Sequence, residues 1–408
     1  MTRTVEVFAA EANAWLAAAV GRRTANGPPT EGVAVFHSLP HEAERALIAA
    51  AAAWQRRKFE AGYGAIAWPE EFGGAGLTPE HARVFTRAEA SYPTPPDHEL
   101  RRVTVNLVAP TLRAKALPVL QERFIRPFLR CDQLACQLFS EPGAGSDLAG
   151  LSTRAQLDGA DWVVNGAKVW VSGAQFADWG LLLARTDPHV PKHAGITAFL
   201  IPMAADGVQV RPIRQMTGGS SFNEVFFDNV RIADELRIGA VGEGWEVGTS
   251  MLAFERNQSG FRAGVGGSWE QLRLLAQRSN AGTDPVLRQR LVRVYVHERL
   301  RALTRQRADE AARRSQTPGP EGSMGKLLWV QGLIAIGDVA ATLAGPQLIA
   351  NTGAPGTYAW AEHVLGAPGF RIAGGSDEIQ RNILAERVLG LPREPNPARS
   401  TPGRPKIP

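Results

Sequence analysis

The chain is 408 residues long, which is too long for one ordinary hydrophobic core and predicts roughly two to four structural units. Apolar residues make up 44% of it and charged residues 21%, which is the composition of an ordinary soluble globular protein. Its 45 basic and 40 acidic residues are interspersed and give a formal charge of only +5. That balance argues against nucleic acid as a partner and suits a small anionic ligand.

The cysteine content and the N-terminus bear on localisation. Cys131 and Cys136 are too few for a disulfide framework and lack the spacing of metal ligands. Glu6 and Glu11 interrupt the apolar N-terminal stretch, which argues against a signal peptide. No apolar run is expected to reach the roughly 18 residues that a membrane span requires. We therefore expect a cytoplasmic protein with no metal site and no membrane span.

Residues 1–131 are predicted to form an N-terminal α-helical domain, because apolar residues recur there at helical spacing. Thr78-Pro79-Glu80 is a helix start, with the Thr78 hydroxyl as N-cap and proline at the first helical position. The other helices are predicted at residues 4–20, 41–60, 101–115 and 118–129.

Residues 132–242 are predicted to form a small antiparallel β-barrel, because the periodicity changes to that of strands. Trp162–Val164 and Val169–Val171 flank Asn165-Gly166, and this dipeptide is the strongest short signal for a type I′ turn. A β-hairpin centred on Asn165-Gly166 is therefore expected. Further strands are predicted at residues 181–184, 196–201, 208–213 and 224–232.

Residues 243–391 are predicted to form a C-terminal four-helix bundle, and residues 392–408 a proline-rich disordered tail. One helix follows Trp245, and a second begins at Asp284-Pro285 and continues to residue 314. The last two are predicted at residues 321–343 and 376–389. The whole chain is thus predicted to be an α+β multidomain protein in the order helical domain, β-barrel, helical bundle.

Two short segments of the β region indicate a ligand site. The first, QLFSEPGAGSDLAG at Gln137–Gly150, contains glycines that allow the backbone to approach a flat or anionic ligand closely. The second, NGAKVWVSG at Asn165–Gly173, carries Trp170 and Ser172. Taken together and in this order, the two segments resemble the flavin-binding segment of the acyl-CoA dehydrogenase family. The resemblance extends from about residue 40 to 393, and the predicted domain order is also that of the family.

The resemblance implies FAD as cofactor, an acyl-CoA thioester as substrate and electron-transfer flavoprotein as electron acceptor. The family's reaction removes a proton from the α-carbon and passes a hydride from the β-carbon to the flavin, giving the trans-2-enoyl-CoA. By that resemblance the flavin ring is contacted by Phe139, Ser140, Trp170 and Ser172, while Gly145 and Ser146 lie where the family contacts flavin phosphate or the CoA arm. Taken singly, Trp170 could instead be a barrel-core residue and Ser140 a turn residue.

The position of the catalytic base departs from the usual family pattern. In many members a Glu precedes a Gly-Thr-Ser-x-Ile-Gln-Arg segment near the C-terminus, and here IAGGSDEIQR places Gly374 where that Glu would be. The reaction still needs a carboxylate base and donors to the thioester oxygen, because an unassisted α-proton is too weakly acidic to be removed. The backbone N–H of Gly374 can still supply the contact to the oxygen.

A subset of the family carries the base on the first helix of the bundle, and MLAFER provides Glu255 there. Glu255 follows Met251 by one helical turn and so lies on the apolar, inward stripe of its helix. Desolvation on that face raises the pKa of a carboxylate towards that of a useful base. We predict Glu255 as the base and Arg256 as its electrostatic partner and a substrate-binding residue. The alternative is an ordinary helix ion pair.

Contacts to the adenine and pyrophosphate are predicted from the bundle by the same resemblance. They fall on Gln347, Ser376 and Glu378, while Arg278 lies where many members carry an Arg-x-Phe-Gly segment that reaches across a subunit interface to the neighbour's flavin. No Arg-x-Phe-Gly segment is present around Arg278, and LIAN follows Gln347 where the family has Gly-Gly. This divergence resembles the bacterial branch devoted to unusual acyl-CoAs, including sterol side chains, in which subunits can be mixed. We expect a homo- or hetero-oligomer that acts in fatty acid or sterol degradation.

Two alternative functions remain open on the sequence. A catalytically silent or FAD-poor subunit of a heteromeric acyl-CoA dehydrogenase is favoured by Gly374 and the missing Phe-Gly, and disfavoured by the intact segment from Gln137 to Ser172. A flavin oxygenase of the same fold is the other alternative, and no residue specifically favours it. Loss of FAD on purification would indicate the first, and oxidation of reduced flavin in air without consumption of acyl-CoA the second.

Overall fold

The computed structural model describes residues 3–21, 32–36, 38–259, 265–279, 283–314, 321–350 and 358–393. Helices occupy both ends of this chain and an eight-stranded sheet lies between them. The predicted fold class is confirmed. The predicted tail beyond residue 393, and the side chain of Arg256, lie outside the described part.

The N-terminal region is helical, close to the predicted bounds. Its helices are α1 Val5–Val20, α2 His41–Glu60, α3 Pro79–Glu89, α4 Glu99–Val103, α5 Ala109–Lys115 and α6 Pro118–Arg130. A π-helical turn, Thr104–Val108, joins α4 to α5 in one continuous helical stretch. The predicted capping role of the Thr78 hydroxyl is wrong, because that hydroxyl lies 2.8 Å from Nδ1 of His81 and makes no capping bond.

The middle region forms one sheet with the strand order β6-β7-β3-β2-β4-β5-β8, and β1 pairs beside β4. The strands are β1 Ala135–Leu138, β2 Arg154–Asp158, β3 Asp161–Ser172, β4 Trp179–Arg185, β5 Ile196–Pro202, β6 Val208–Ile213, β7 Phe222–Ala233 and β8 Arg237–Ile238. Most neighbours are antiparallel. Strands β1 and β2 each pair with β4 in parallel, so the sheet is not purely antiparallel as predicted.

The predicted hairpin turn at Asn165-Gly166 is wrong. Strand β3 runs through this dipeptide, and the hairpin lies instead between β2 and β3. At Gly166 the register of the β3–β7 ladder shifts, and Oδ1 of Asn165 accepts a hydrogen bond of 3.0 Å from the N–H of Asn229. The pair therefore forms an irregularity of the β-bulge type. Glycine is needed there because a Cβ at Gly166 would lie 2.5 Å from Oγ1 of Thr153.

The C-terminal region contains the four predicted helices and two shorter ones. Its helices are α7 Gly244–Ser259, α8 Trp269–Arg278, α9 Pro285–Arg314, α10 Glu321–Ala344, α11 Ala359–Gly366 and α12 Asp377–Arg387. Helices α8 and α11 were not predicted, although Ser268 and Gln271 form a capping box at the start of α8. Helix α10 lies in the middle of the bundle and contacts α7, α8, α9, α11 and α12.

Helix α10 is unusually apolar for a bundle helix. By length and composition alone, Gly322–Leu348 is long and apolar enough to cross a membrane, with a mean hydropathy of 1.7. The expectation from the sequence that no apolar run reaches this length is wrong. Trp329, Val330 and Leu333 on this helix are buried against the rest of the bundle, which is the environment of a core helix.

Candidate active site

The segment predicted to bind a flavin forms a tight loop between β1 and β2. Glu141 and Ala144 exchange two backbone hydrogen bonds of 3.0 Å, which closes a turn. The N–H of Val169 donates to the carbonyl of Ser140 over 2.9 Å and fixes the loop against β3. A Cβ added at Gly143 or Gly145 would meet nothing within 4 Å, so both glycines border open space. The loop backbone is therefore accessible to a ligand.

A buried ion pair supports this loop from below. Nζ of Lys168 donates to Oε1 of Glu141 over 2.8 Å and to the carbonyl of Phe139 over 3.1 Å. The N–H and hydroxyl of Ser152 donate to Oε2 of Glu141, over 2.6 and 2.7 Å, and the N–H of Thr153 donates to Oε1 over 2.9 Å.

The folded environment lowers the pKa of both members of this ion pair. Burial by itself would raise the pKa of Glu141, but the ammonium group of Lys168 and the hydrogen bonds from Ser152 and Thr153 lower it to about 2. Burial lowers the pKa of Lys168, against the attraction of Glu141. Sequence reasoning missed Lys168, although a lysine at an inward position of a strand is a signal of a buried partner.

The loop offers mainly hydrogen-bond donors to a ligand. The carbonyls of Phe139 and Ser140 are already used by Lys168 and Val169, and the Phe139 side chain is buried. Within the described residues, no hydrogen bond is made by the side-chain hydroxyls of Ser140, Ser146 and Ser172, or donated by the N–H groups of Gly143, Gly145 and Ser146. Such donors fit a phosphate group and the acceptor-rich edge of a flavin ring. The loop's residues thus fit FAD.

Trp170 lies in an exposed position on β3, and the interpretation of Trp170 as a core residue is wrong. Its side chain is 60% exposed and its φ is +61°, a conformation that bulky residues rarely adopt. The register of the β3–β7 ladder shifts between Lys168 and Val171, so Trp170 belongs to an irregular part of the strand. An exposed indole fixed in this way offers a face on which a flat ring can stack.

A buried amide beside Trp170 also has an unused acceptor. Asn223 on β7 is fully buried, and its Nδ2 donates to the carbonyl of Val171 over 3.0 Å. Its Oδ1 has no partner among the residues described in this structure. A buried acceptor without a partner is costly, and a ligand donor or an ordered water would satisfy it.

A chain of aromatic rings connects Trp170 to the bundle. Ring centroids are 6.2 Å apart between Trp170 and Phe222, 5.2 Å between Phe222 and Phe36, and 5.1 Å between Phe36 and Phe370. Phe36 lies in the segment 32–36, for which no element was predicted from the sequence. The chain of contacts ends immediately before the turn that contains Gly374, so this turn lies on the same side of the molecule as Trp170.

The turn at Gly374 has a backbone that favours glycine. The φ angles of Gly374 and Gly375 are +66° and +87°. Nε2 of Gln380 donates to the carbonyl of Gly374 over 2.8 Å. The N–H of Gly374 donates to no other group in the described part of the chain. It is therefore available to a carbonyl oxygen, as the proposed thioester contact requires.

Ser376 and Glu378 are engaged at the start of α12. The Ser376 hydroxyl accepts a hydrogen bond of 3.3 Å from the N–H of Ile379 and acts as the N-cap. Glu378 is exposed, and hydrogen bonds from its own N–H and from Ser376 lower its pKa. These two residues lie next to the Gly374 turn, with part of their hydrogen-bonding capacity used by the helix.

A buried lysine lies beneath the same turn. Lys326 on α10 is 1% exposed, and its Nζ donates to the carbonyl of Gly375 over 2.9 Å. The carbonyl of Arg371 and Oδ1 of Asp377 each lie 3.5 Å from that Nζ. Burial lowers the pKa of Lys326, while the carboxylates of Asp377 and Glu255 oppose that shift. Sequence reasoning missed Lys326, although a single lysine in an apolar helix was visible.

Glu255 is brought towards this lysine by α7. Val247, Gly248 and Met251 on one face of α7 are buried, and Glu255 follows on that face, half-buried. A Cβ at Gly248 would lie 3.7 Å from the Phe139 ring, so α7 packs against the end of β1. Glu255 therefore lies further along a helix that packs near the β1–β2 loop at one end and carries Glu255 towards Lys326 at the other. The predicted role of Arg256 stays a prediction.

Arg278 and Gln347 lie apart from these residues. Both are exposed, and Gln347 follows α10 at the end opposite Lys326, about 30 Å away at 1.5 Å per residue. Leu275, one turn before Arg278, and Leu343, near that same end of α10, pack against the same hydrophobic cluster. The structure thus places these two residues at the far end of the bundle. Among the described residues no group of three or more His, Cys, Asp or Glu side chains could hold a metal ion.

Comparison with known proteins gives a consistent result along the chain. Residues 136–230 match the model of the acyl-CoA dehydrogenase middle domain, and residues 242–389 match that of the acyl-CoA dehydrogenase C-terminal domain. The acyl-CoA dehydrogenase IpdE1 of Mycobacterium tuberculosis is 39% identical over 394 residues, covering 96% of this chain and 98% of the relative. The acyl-CoA dehydrogenase FadE34 of the same organism is 36% identical over 362 residues, covering 88% of this chain and 48% of the relative.

Two solved structures have the same fold over nearly the whole chain. The Tcur3481-Tcur3483 steroid ACAD superposes with a TM-score of 0.76 at 24% identity, covering 96% of this chain and 98% of the other. A chain of the ChsE4-ChsE5 complex from Mycobacterium tuberculosis superposes with a TM-score of 0.68 at 24% identity, covering 97% and 99%. At this identity the two structures establish the fold.

Proposed function

The chain belongs to the acyl-CoA dehydrogenase family of oxidoreductases, and from that premise we propose that it catalyses the FAD-dependent α,β-dehydrogenation of an acyl-CoA thioester to the trans-2-enoyl-CoA. One observation carries the proposal. The half-buried Glu255 and the free N–H of Gly374 belong to elements that meet around Lys326, and aromatic contacts lead from the Gly374 turn to the exposed Trp170.

The cofactor proposal rests on the residues of the β1–β2 loop and of β3. Gly145 and Ser146 offer exposed N–H groups, and the hydroxyls of Ser140 and Ser172 complete a donor set suited to a phosphate and a ring edge. Trp170 offers the flat face. FAD, when bound, would supply a hydride acceptor for the β-carbon of the substrate.

The chain's own chemistry in this proposal is proton removal. Glu255 takes the α-proton, and the Gly374 N–H donates to the thioester oxygen, where negative charge develops as the proton leaves. A backbone donor in a turn fixed by Gln380 requires no rearrangement at the moment of reaction. Placing the base on α7 instead of on the turn leaves the Gly374 position without a side chain and keeps its N–H accessible.

The substrate proposal comes from a structural neighbour. The Tcur3481-Tcur3483 protein is described as a steroid ACAD, and this chain shares its fold. We therefore propose a CoA thioester with a bulky steroid-type acyl group, with electron-transfer flavoprotein as the electron acceptor. A preference for straight-chain esters would contradict the steroid part and leave the reaction class intact.

The oligomer proposal is a hetero-oligomer, and it is supported by the surface of α9 and by two-component neighbours. Five apolar side chains on one face of α9 are 45–55% exposed. They are Val292, Tyr295, Val296, Leu300 and Leu303. An apolar stripe of this kind on a long helix is typical of a helix that packs against another chain. Two of the similar structures carry two-component names, Tcur3481-Tcur3483 and ChsE4-ChsE5.

A second candidate function is a FAD-poor subunit that supports an active partner. It is favoured by Gly374, which lacks the carboxylate that many family members have there, and by the absence of a Phe-Gly after Arg278. Under this candidate the chain alone would bind little FAD, and adding the partner would not create flavin at this loop.

The visible spectrum of the purified chain, after incubation with FAD and gel filtration, tests the proposal. We expect a stoichiometric flavin that bleaches on anaerobic addition of at least one of octanoyl-CoA, palmitoyl-CoA or the CoA ester of a steroid carboxylic acid. A colourless chain would support the FAD-poor candidate. A flavin that no ester bleaches, but that re-oxidises rapidly in air after chemical reduction, would contradict the dehydrogenase proposal.

A further inference from the structure

We infer that Lys326 is a positioning residue for this reaction, holding the turn that presents the Gly374 N–H and maintaining a positive charge beside Glu255. This inference rests on the proposed function of the same site. It concerns a residue that touches neither the substrate nor the cofactor in the proposed mechanism and acts through the turn and the base.

The contacts of Lys326 are concentrated on the turn. Its ammonium group is completely enclosed and donates to the carbonyl of Gly375, next to the residue whose N–H is free. The carbonyl of Arg371, at the start of the turn, and the carboxylate of Asp377, at its end, also lie within 3.5 Å. One side chain thus connects both ends of the turn to the central helix of the bundle.

The uncharged side chain of Gln380 also holds this turn. Nε2 of Gln380 donates to the carbonyl of Gly374 over 2.8 Å and approaches that of Gly375 at 3.4 Å. If shape alone were required, an apolar side chain on α10 together with Gln380 would hold the turn. An enclosed ammonium group is costly unless its charge is compensated or used. What Lys326 adds beyond Gln380 is its charge.

The charged groups around Lys326 show where that charge acts. The charges of Asp377 and Glu378 on α12, and of Glu255 on α7, which packs against α10, all act to raise the pKa of Lys326. Arg371 donates to Oδ2 of Asp377 over 2.9 Å. Two of the three carboxylates lie on α12, and the third is the proposed base. A positive charge at this point favours the ionised form of Glu255 and the negative charge that develops on the thioester oxygen.

The test measures the rate of anaerobic flavin reduction in the holoprotein between pH 5.5 and 9, with an ester that bleaches the wild type. Lys326→Met is expected to lower the rate at pH 7 by about 10- to 100-fold. It is also expected to move the acid limb of the pH profile upward by about one unit, because Glu255 loses a stabilising charge. The matched control is Lys115→Met, which removes a partly exposed lysine that pairs with Glu246 of α7 over 3.1 Å. It should leave both quantities unchanged.

A purely structural role predicts a different result. It would lower the rate or the FAD content of Lys326→Met and leave the acid limb where it is, and that outcome would overturn the inference. If Lys326→Met does not fold, Lys326→Gln keeps a hydrogen-bond donor without the charge and must still move the limb upward. Asp377→Asn, which leaves Lys326 in place and removes a negative charge, must move the limb to lower pH. An unmoved limb in either variant also overturns the inference.

Failure of the inference and failure of the proposed function can be separated. If no ester bleaches the wild type, or if Glu255→Gln is reduced as fast as the wild type, the proposed function fails. If wild type and Glu255→Gln behave as proposed and the limb stays fixed in the Lys326 variants, only the role of Lys326 is refuted.

Discussion

Two buried lysines support the two halves of the candidate site in different ways. Lys168, in the sheet, donates to the carbonyl of Phe139 and pairs with Glu141 under the β1–β2 loop. Lys326, in the bundle, donates to the carbonyl of Gly375 and lies beside Asp377 under the Gly374 turn. In each half a buried ammonium group holds the backbone of a glycine-containing loop.

The two clusters differ in whether their charged groups interact only with one another or also with groups outside the cluster. Glu141 belongs to its loop, is nearly enclosed and receives hydrogen bonds from Lys168, Ser152 and Thr153. Asp377 pairs with the exposed Arg371, and it acts on Lys326 together with Glu255 of α7. The sheet cluster is thus self-contained, as a scaffold for a cofactor should be. The bundle cluster is coupled to an ionisable group, as a catalytic region requires.

The largest expected effect comes from breaking the closed cluster. Lys168→Met leaves Glu141 buried without its counter-ion, so the free energy of unfolding should fall by about 3–5 kcal/mol. The matched control is Lys192→Met, which removes an exposed lysine that pairs with Asp147 of the same loop over 2.6 Å. That control should change stability by less than about 1 kcal/mol. Chemical denaturation of all three proteins measures this, and equal losses in both variants would contradict a closed cluster.

The pH dependence of the contribution that Glu141 makes to protein stability gives a second test of the closed cluster. Its pKa of about 2 in the folded protein lies below the unfolded value of about 4.3, so its contribution is complete above about pH 4.3 and disappears as the pH falls through about 2. The wild type should exceed Glu141→Gln in melting temperature at pH 7, and the gap should narrow below pH 4. A gap that stays constant down to pH 2.5 would mean that Glu141 is not held ionised by the fold.

The smallest expected effect concerns Trp170, at the edge of the sheet cluster. Trp170→Ala removes the exposed ring and should weaken FAD binding about tenfold or more, with little change in the stability of the apoprotein. Because φ is +61° here, Trp170→Gly should be more stable than Trp170→Ala by roughly 1 kcal/mol. Flavin fluorescence titration and thermal melting measure the two effects. Unchanged FAD affinity in both variants would remove Trp170 from the site.

Local patterns were sufficient to predict most of the helices and strands. The bounds of α2, His41–Glu60, follow from apolar spacing, and β4 to β7 follow from short apolar runs between glycines and prolines. The Asn165-Gly166 prediction failed because a bulge is specified by the partner strand. Asn229, which bonds to Asn165, is distant in sequence and gives no local signal.

The candidate site was only partly predictable for the same reason. The loop Gln137–Gly150 and the vacancy at Gly374 could be identified from motifs. The two lysines could not, because their roles depend on which carbonyls tertiary packing brings to them. Phe36 likewise belongs to a stretch without periodicity and gains its role only by stacking on Phe370. The predicted role of Arg278 involves the flavin of a neighbouring subunit, which one chain does not show, and the roles of Arg278 and Gln347 stay predictions.

The measurement that most directly tests the central claim is anaerobic flavin reduction in wild type and Glu255→Gln, with Glu246→Gln as control. Glu246 lies on the same helix, is exposed and pairs with Lys115, so its substitution should leave the rate unchanged. We predict that Glu255→Gln retains its flavin and binds the ester but is reduced about 10²- to 10⁴-fold more slowly, because it cannot accept the α-proton. Reduction at the wild-type rate would contradict the assignment of Glu255 as the base.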